Sequence, residues 1–403
     1  MREGWTLAVL GDFARQYVEP VNLQADTEYQ SLGVKWYGDG TFLREPKLGS
    51  EIKAKRLFRV RPGQFVYNRM FVTEGSFGVI RAENMHAVAS NEFPVFDLDE
   101  ERLLTDYLLL HFQRPEVWGR VAGEATGSTK SRRRWKEEQF LRYSIALPST
   151  AIQRRIVDII GAVDDEVRAC YVTVDAELAL LSRLRNRIPR GKEAEVGDVL
   201  NGIINGITTT AKEQQSGSGL QYLVKASAVE PGQFNPGEMK LAPDERYDPK
   251  YYVRRDDILM TRINTPERVG HIARVDAEVN SAIRPDLVWK LELDETQVVP
   301  DYFVHMLSGP AGRTAISLAA SGTSRSMQQI SKGKFVKVPI SLPSLEDQRL
   351  YAERCEALRL AVAATRTLAA RLHSLRSNLL TTLLSGEHEI PTSYDELLEG
   401  NAA

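Results

Sequence analysis

Two short segments of this chain carry side chains suited to contacting nucleic acid. Residues 127–135 read GSTKSRRRW, and residues 322–330, 195 positions further along, read GTSRSMQQI. Hydroxyl groups and glycine N–H groups can donate to phosphate oxygens, arginine can donate two hydrogen bonds to guanine, and glutamine suits the edge of adenine. The pattern predicts two versions of one loop that favour different bases.

The candidate DNA-contacting residues come from these two loops and from the ends of two matching predicted strands. They are Asn68, Arg69, Ser128, Thr129, Lys130, Arg132, Arg133, Arg134, Arg262, Asn264, Thr323, Ser324, Arg325, Gln328 and Gln329. The sequence leaves open a plainer interpretation of the basic run, in which it is a solvated start of the helix before Phe140.

Enzymatic chemistry has weaker support. Short Glu-x-Lys patterns at Glu45 and Glu238 could belong to a nuclease, but neither has an equivalent in the other half of the chain. The turn at Asn235 lacks the aromatic residue with which adenine methyltransferases stack a flipped base. The phosphate-binding loop of motor ATPases is missing, and the six histidines show no close ligand pairing. We therefore expect a non-enzymatic protein with no catalytic residue, no metal and no cofactor.

The two loops belong to a longer internal repeat. Without a gap, 16 of 57 positions are identical between Leu98–Arg154 and Leu293–Arg349. A period of this length with only two copies excludes a solenoid and indicates a duplicated domain together with the segment that follows it.

Each copy has the same predicted order of elements. Apolar runs bounded by Pro-Gly, Gly-Asp-Gly and Asn-Pro-Gly turns predict strands, and each mixed region also contains a short helix before its long one. The predicted strands include Gln64–Tyr67, Phe77–Ile80, Ile258–Met260 and Leu287–Leu291, and the short helices are Leu103–Phe112 and Asp301–Leu307.

A long helix closes each copy. Apolar residues recur at alternating spacings of three and four, which is the pattern of a coiled-coil seam. The seam residues expected to pair or to contact partners are Ile156, Val163, Cys170, Leu372, Leu375 and Leu379. We predict that the two helices pair antiparallel; the alternative is that each seam packs only on its own domain.

Charge distribution, apolar runs and cysteine content indicate the cellular environment of the protein. The net charge is −2, but Thr41–Arg81 holds nine Lys or Arg against three Glu, so a local basic surface is compatible with DNA binding. No apolar run approaches the length of a membrane span, and the N-terminal sequence has no secretion signal. The two cysteines, Cys170 and Cys355, are too few for a disulfide framework and are predicted to be buried thiols. These features favour a cytoplasmic protein without a membrane segment.

The motif Leu-Pro-Ser-x-x-x-Gln-Arg opens both long helices, at 147–154 and 342–349, and the second helix ends in Leu-Leu-Ser-Gly at 383–386. In these residues, and over essentially its whole length, the chain resembles the specificity (S) subunits of type I restriction–modification enzymes. The resemblance implies an α+β fold. Two duplicated mixed α/β target recognition domains would be separated by two long helices that form an antiparallel coiled coil.

The resemblance also implies a function. Each domain would read one half of a split site on double-stranded DNA, and the helices would fix the gap and dock two methyltransferase subunits, which restriction (motor) subunits can join. The chain would divide into a first recognition domain at 1–148, a spacer helix at 149–188, a second domain at 189–343, a second spacer helix at 344–386 and an acidic tail at 387–403.

A second function from a different class fits the same pattern. The chain could be a coiled-coil adaptor whose mixed domains bind proteins without DNA specificity. The salt dependence of binding distinguishes the two functions. On a log–log plot the binding constant for phosphate contacts falls linearly with salt concentration, whereas that of a protein interface of ordinary polarity does not.

Overall fold

The structure, a computed structural model, describes residues 4–54, 56–127, 133–208, 221–243, 246–324, 327–386, 388, 390–391 and 394. It divides into two compact units, which are treated separately below. Unit 1 comprises Met1–Ala169 and Ala369–Ala403, and unit 2 comprises Cys170–Leu368. No helix in the described ranges has both the length and the apolar character needed to cross a membrane.

Unit 1 contains short strands, three short helices and the start of a long one. The strands are β1 Thr6–Val9, β2 Ala14–Tyr17, β3 Pro20–Val21, β4 Glu28–Tyr29, β5 Leu32–Val34, β6 Thr41–Leu43, β7 Lys47–Leu48, β8 Leu57–Arg59, β9 Phe65–Tyr67, β10 Phe77–Val79, β11 Val88–Ser90, β12 Val95–Leu98 and β13 Ser144–Leu147. The helices are α1 Thr105–Phe112, α2 Pro115–Glu124, α3 Glu137–Arg142 and α4 Thr150–Asn186, which continues into unit 2.

The central sheet of unit 1 has the strand order β10-β9-β12-β2 and is antiparallel. All three residues of β9 and of β10 are buried, as continuous apolar runs predict. Their side chains join an aromatic core in which the ring of Phe77 lies 4.4 Å from that of Phe112, and the ring of Phe96 lies 4.2 Å from that of Phe140. Rings at these separations gain packing energy beyond the apolar area they bury.

Unit 2 repeats this set of elements. Its strands are β14 Lys192–Glu195, β15 Leu200–Ile204, β16 Tyr222–Val224, β17 Val229–Glu230, β18 Gln233–Phe234, β19 Met239–Leu241, β20 Ile258–Thr261, β21 Ile263–Asn264, β22 Ile272–Arg274, β23 Ala282–Ile283, β24 Val288–Leu293, β25 Ser321–Ser324, β26 Met327–Gln329 and β27 Pro339–Leu342. Its helices are α5 Pro300–Ser308, α6 Pro310–Ala319, α7 Lys332–Phe335 and most of α8 Leu345–Ser385, whose last residues belong to unit 1.

The duplication predicted from the sequence is confirmed by the sheet topology. The central sheet of unit 2 has the order β22-β20-β24-β15, which matches β10-β9-β12-β2 strand for strand. In both units a strand at the start of the copy pairs antiparallel with the strand before the long helix: β1 with β13, and β14 with β27. The smaller three-stranded sheets differ, with orders β11-β8-β3 and β19-β16-β23.

The long helices pack antiparallel within each unit. In unit 1, Ile156 of α4 shares a buried cluster with Leu383 of α8, and further along α4 Asp164 pairs with Arg376. In unit 2, Thr365 donates to Glu177, and the hydroxyl of Tyr351 donates to the carbonyl of Arg185. In each unit, residues later in α4 contact residues earlier in α8, so the two helices run in opposite directions. The predicted fold class is therefore confirmed.

The seam follows the predicted spacing at most positions. Ile156 and Cys170 are buried, and Val163, Leu372 and Leu379 are half-buried. Leu375 is 46% exposed, because the neighbouring Arg376 turns inward and takes a bidentate ion pair with Asp164, at 2.5 and 3.0 Å. The spacing of apolar residues did not reveal this polar interruption.

Candidate nucleic-acid interface

The Gln of the repeated motif joins the first turn of α4 to unit 1. Gln153 is fully buried. Its Oε1 accepts the N–H of Leu104 at 2.9 Å, and its Nε2 donates to the carbonyls of Arg102 at 2.9 Å and Pro148 at 3.0 Å. A glutamine is needed because the site offers one donor and two acceptors, and only the amide presents the complementary groups on one side chain.

The same arrangement recurs in unit 2. Gln348 is fully buried, accepts from the N–H of Val299 at 2.8 Å and donates to the carbonyls of Gln297 at 3.1 Å and Pro343 at 3.0 Å. The motif glutamines therefore have a structural role, because each one joins the mixed region of its copy to the start of the long helix that follows. Ser344 also caps α8 by accepting the N–H of Asp347 at 3.2 Å.

A backbone frame in unit 1 brings together the two segments that the sequence singled out. The carbonyl of Arg69 accepts the N–H of Trp135 at 3.2 Å. Arg134 and Thr126 exchange backbone hydrogen bonds of 2.9 and 3.0 Å and close the neck of the basic loop. The end of β9 and the end of this loop therefore form one edge.

Acidic side chains hold two of the arginines at this edge. The guanidinium of Arg69 pairs with Glu137, and Nε of Arg134 donates to Glu92 at 2.8 Å. Arg133 is exposed. Asn68 is buried, and its Oδ1 accepts the N–H of Met70 at 3.0 Å, so it shapes the turn after β9.

Unit 2 has the equivalent frame with a different edge. The carbonyl of Arg262 accepts the N–H of Ile330 at 2.9 Å, and Arg262 and Ile330 match Arg69 and Trp135 in the repeat. Here the edge is extended by the antiparallel sheet β21-β26-β25.

This small sheet carries the candidate amides of unit 2. Asn264 pairs in register with Gln328, and Gln329 pairs with Ile263. Gln329 is exposed. The Oε1 of Gln328 is buried and has no hydrogen-bond partner in the described part of the chain. Thr323 and Ser324 lie in β25.

Comparison with known proteins agrees with this architecture. No family model and no curated protein matches the chain. Among solved structures, the S subunit of a type I restriction–modification system from M. genitalium is 11% identical, covers 94% of this chain and 96% of its own, and superimposes with a TM-score of 0.55. A second solved structure, reported for complex assembly and conformational transition of the type I R-M system, is 16% identical. It covers 95% of this chain and 98% of its own, with a TM-score of 0.57.

The chain has the fold of the type I S subunit. The resemblance seen in the repeated motif is confirmed at the level of the fold. On this fold, the two frames described above occupy matching places in the two copies of the chain's own repeat.

Several candidates of the sequence stay predictions. Ser128, Thr129, Lys130, Arg132 and Arg325 lie outside the described residues. The contacts of the other candidate residues with DNA are likewise predictions, on geometry that unites Arg69 with Arg134 in unit 1 and Asn264 with Gln328 in unit 2.

The sequence did not reveal the acidic residues that hold the arginines. Glu137 directly follows the basic run, which is a local signal for pairing, but its partner Arg69 is far away along the chain. Glu92 gives no local signal, because the turn after β11 brings it to Arg134 only in the folded unit.

Histidine adds no charge near the edge of unit 2. Burial, reinforced by the positive charge of Arg313, lowers the pKa of His271 to about 4, so the ring is neutral at pH 7. No group of His, Cys, Asp or Glu among the described residues is arranged to hold a metal ion. In unit 1 the charged groups at the edge are arginines and their acidic partners Glu137 and Glu92.

Proposed function

We propose that the chain is the sequence-specificity subunit of a type I restriction–modification system. Each unit reads one half of a bipartite site on double-stranded DNA, and the chain itself catalyses nothing. The long helices dock two methyltransferase subunits, and restriction subunits join that assembly. The proposed parts are those given by the sequence, with recognition domains at 1–148 and 189–343.

One observation carries this proposal. The same hydrogen-bonded frame occurs in both copies, at Arg69 with Trp135 and at Arg262 with Ile330, but it presents different side chains. Unit 1 offers arginines, and unit 2 offers Gln328 and Gln329. A duplicated frame with divergent edges is what reading two unlike half-sites requires, because base identity is read through the donors and acceptors of individual side chains.

Two ion pairs support a more specific role for Arg134 and Arg69 within this proposal. Arg134 is held by Glu92, and Arg69 by Glu137, so each has a fixed direction before DNA arrives. Fixing the side chain in advance lowers the entropy lost on binding and favours a directional contact with a base. Arg133 is exposed and, on this proposal, contacts phosphate.

The proposal is tested by binding of the full chain, together with its partner subunits, to a DNA library randomised separately in each half-site. Arg134→Ala should relax one position of one half-site and weaken binding of the preferred sequence by about 1–3 kcal/mol. Gln329→Ala should relax a position of the other half-site only. Arg133→Ala should weaken all sequences alike and lower the salt slope by about one.

Arg154→Ala is the matched control. Arg154 is exposed on α4, so the substitution removes the same charge at a place away from the frames. It should leave both half-site preferences unchanged. If Arg134→Ala and Gln329→Ala relax the same half-site, the assignment of one half-site to each unit is wrong. Binding that lacks sequence preference and salt dependence would favour the adaptor function instead.

A further inference from the structure

An apolar groove of about 630 Å³ lies on the surface of unit 2, between the β14–β27 strand pair and the helices α5 and α6. Met306 and Leu307 of α5 and Ile340 of β27 line it. On the α6 side the lining includes Gly312, which has no side chain, and Ala315, which has only a methyl group.

The rim of the groove is acidic. Glu193, Glu195 and Asp198 all line it, and all three are exposed. None of them forms an ion pair with a residue that the structure describes, although Asp198 accepts the N–H of Glu195 at 2.8 Å. Unpaired carboxylates beside an apolar surface produce a negative field that attracts cationic groups.

At the equivalent place in unit 1 an arginine side chain lies over the surface. Helices α2 and α6 are both ten residues long and begin with proline, and Arg120 holds the sixth position in α2 where α6 has Ala315. The guanidinium of Arg120 lies 4.3 Å from the ring of Tyr143 and donates to the carbonyl of Ser144 at 3.3 Å. Ser144 is the repeat equivalent of Pro339, which lines the groove in unit 2.

The rim also changes character between the copies. The matching registers of β1 with β13 and of β14 with β27 place Leu7 where unit 2 has Glu193, and Val9 where unit 2 has Glu195. Leu7 is 66% exposed and Val9 is 38% exposed. The duplicated surfaces are therefore chemically unlike: unit 1 has an arginine on the surface and an apolar rim, and unit 2 has an apolar groove with an acidic rim.

We propose that the groove of unit 2 is a docking site for a segment of a partner protein that carries apolar side chains flanked by Lys or Arg. The apolar lining takes the apolar side chains, and Glu193, Glu195 and Asp198 pair with the cations. Because the cationic side chain of Arg120 lies over the equivalent place, it repels the cations of this segment, and unit 1 does not bind it. The duplicated chain thus docks one partner segment on one unit only.

The charges decide among the possible occupants. Three carboxylates repel phosphate, so the groove does not bind the DNA backbone. The tail of the chain itself carries Asp395, Glu396 and Glu399 and is repelled in the same way. A basic, partly apolar peptide is the complementary class, since burial of its apolar side chains adds to the attraction between opposite charges.

This inference rests on the proposed function only in assuming that partner proteins exist, and its test needs no DNA. Random 16-residue peptides would be selected on the full-length chain, and the affinities of selected peptides would be measured by fluorescence anisotropy. Selected sequences should carry apolar residues and a net positive charge. Ala315→Arg, which copies unit 1, should weaken their binding at least tenfold. Glu193→Gln with Glu195→Gln should weaken it and reduce its dependence on salt.

Leu318→Arg is the matched control, because it adds the same side chain to the same helix at a position 82% exposed and outside the groove lining. It should leave the affinities unchanged. Selection of neutral or acidic peptides, no selection, or unchanged binding by Ala315→Arg would overturn the proposal. Self-association of the chain that Ala315→Arg abolishes would identify a second copy as occupant and would also overturn it. In each case the half-site assay on DNA reports on the proposed function independently.

Discussion

Replacing Gln153 with alanine should destabilise unit 1 strongly and leave unit 2 intact. The substitution removes three hydrogen bonds, to Leu104, Arg102 and Pro148. Each is worth about 1 kcal/mol net, and buried partners left without a hydrogen bond cost about 1–3 kcal/mol each. Because the side chain is fully buried and water does not replace it, we expect a loss of about 3–5 kcal/mol.

Hydrogen exchange measured by mass spectrometry separates the two units. Gln153→Ala should speed exchange in peptides that cover α1 and β13, and peptides of unit 2 should exchange as before. Gln348→Ala should give the opposite result. The neighbouring Arg154 and Arg349 are exposed, so their alanine variants should change stability by no more than about 0.5 kcal/mol.

Gln153→Glu tests the same structural role by placing an ionisable group at the buried site. An ionised Glu at this site faces the carbonyls of Arg102 and Pro148, so burial and repulsion should raise its pKa above the ordinary value. A group whose pKa is raised on folding stabilises the protein below its unfolded pKa, and that stability is lost as pH rises through the folded pKa. The variant should therefore be more stable near pH 4 than at pH 8, relative to the parent chain. If Gln153→Ala costs under 1 kcal/mol, or the Glu variant shows no pH dependence, the structural role of this Gln is wrong.

Three further outcomes are expected. Burial, reinforced by Arg114, lowers the pKa of His111 well below 6.5, so thermal stability should fall as pH drops below about 6.5, and less so in His111→Gln. Asp164→Ala should cost about 1.5–3 kcal/mol in urea unfolding, because it leaves Arg376 without its bidentate partner; equal stability would contradict this. Burial raises the pKa of Cys355 to about 11, so iodoacetamide at pH 8 should label it only on unfolding, as followed by mass spectrometry.

The repeat could be detected from the sequence because equivalent residues have the same structural role in each copy. Gln153 and Gln348 are identical and 195 positions apart, and each makes the same set of hydrogen bonds. Likewise Tyr107 and Tyr302 donate to the carbonyls of Ala146 and Ser341, which are equivalent residues. Strands β9 and β10 and helices α1 and α5 were also found where apolar runs predicted them, since local burial sets both pattern and structure.

The candidate edges could be assigned only in part. The sequence identified the loops and strand ends, and the frame then joined Arg69 to the residues after the basic loop. The sequence did not reveal that Glu137 and Glu92 pair with the arginines. It also did not reveal that Leu375 is exposed while the next residue, Arg376, turns inward to pair with Asp164. Such pairs form between residues that are distant along the chain, so no local spacing encodes them.

The sequence by itself determined the duplicated α+β plan, the two long helices and the two places where side chains diverge, because these depend on periodicity and on comparison of one copy with the other. Only the tertiary structure decided what surrounds each side chain. Arg120 and Ala315 are simply different residues in the aligned copies, but in the folded units Arg120 packs on Tyr143, whereas Ala315 lines a groove. The physical reason is that packing and charge pairing are set by distances through space, which sheet closure and helix pairing create.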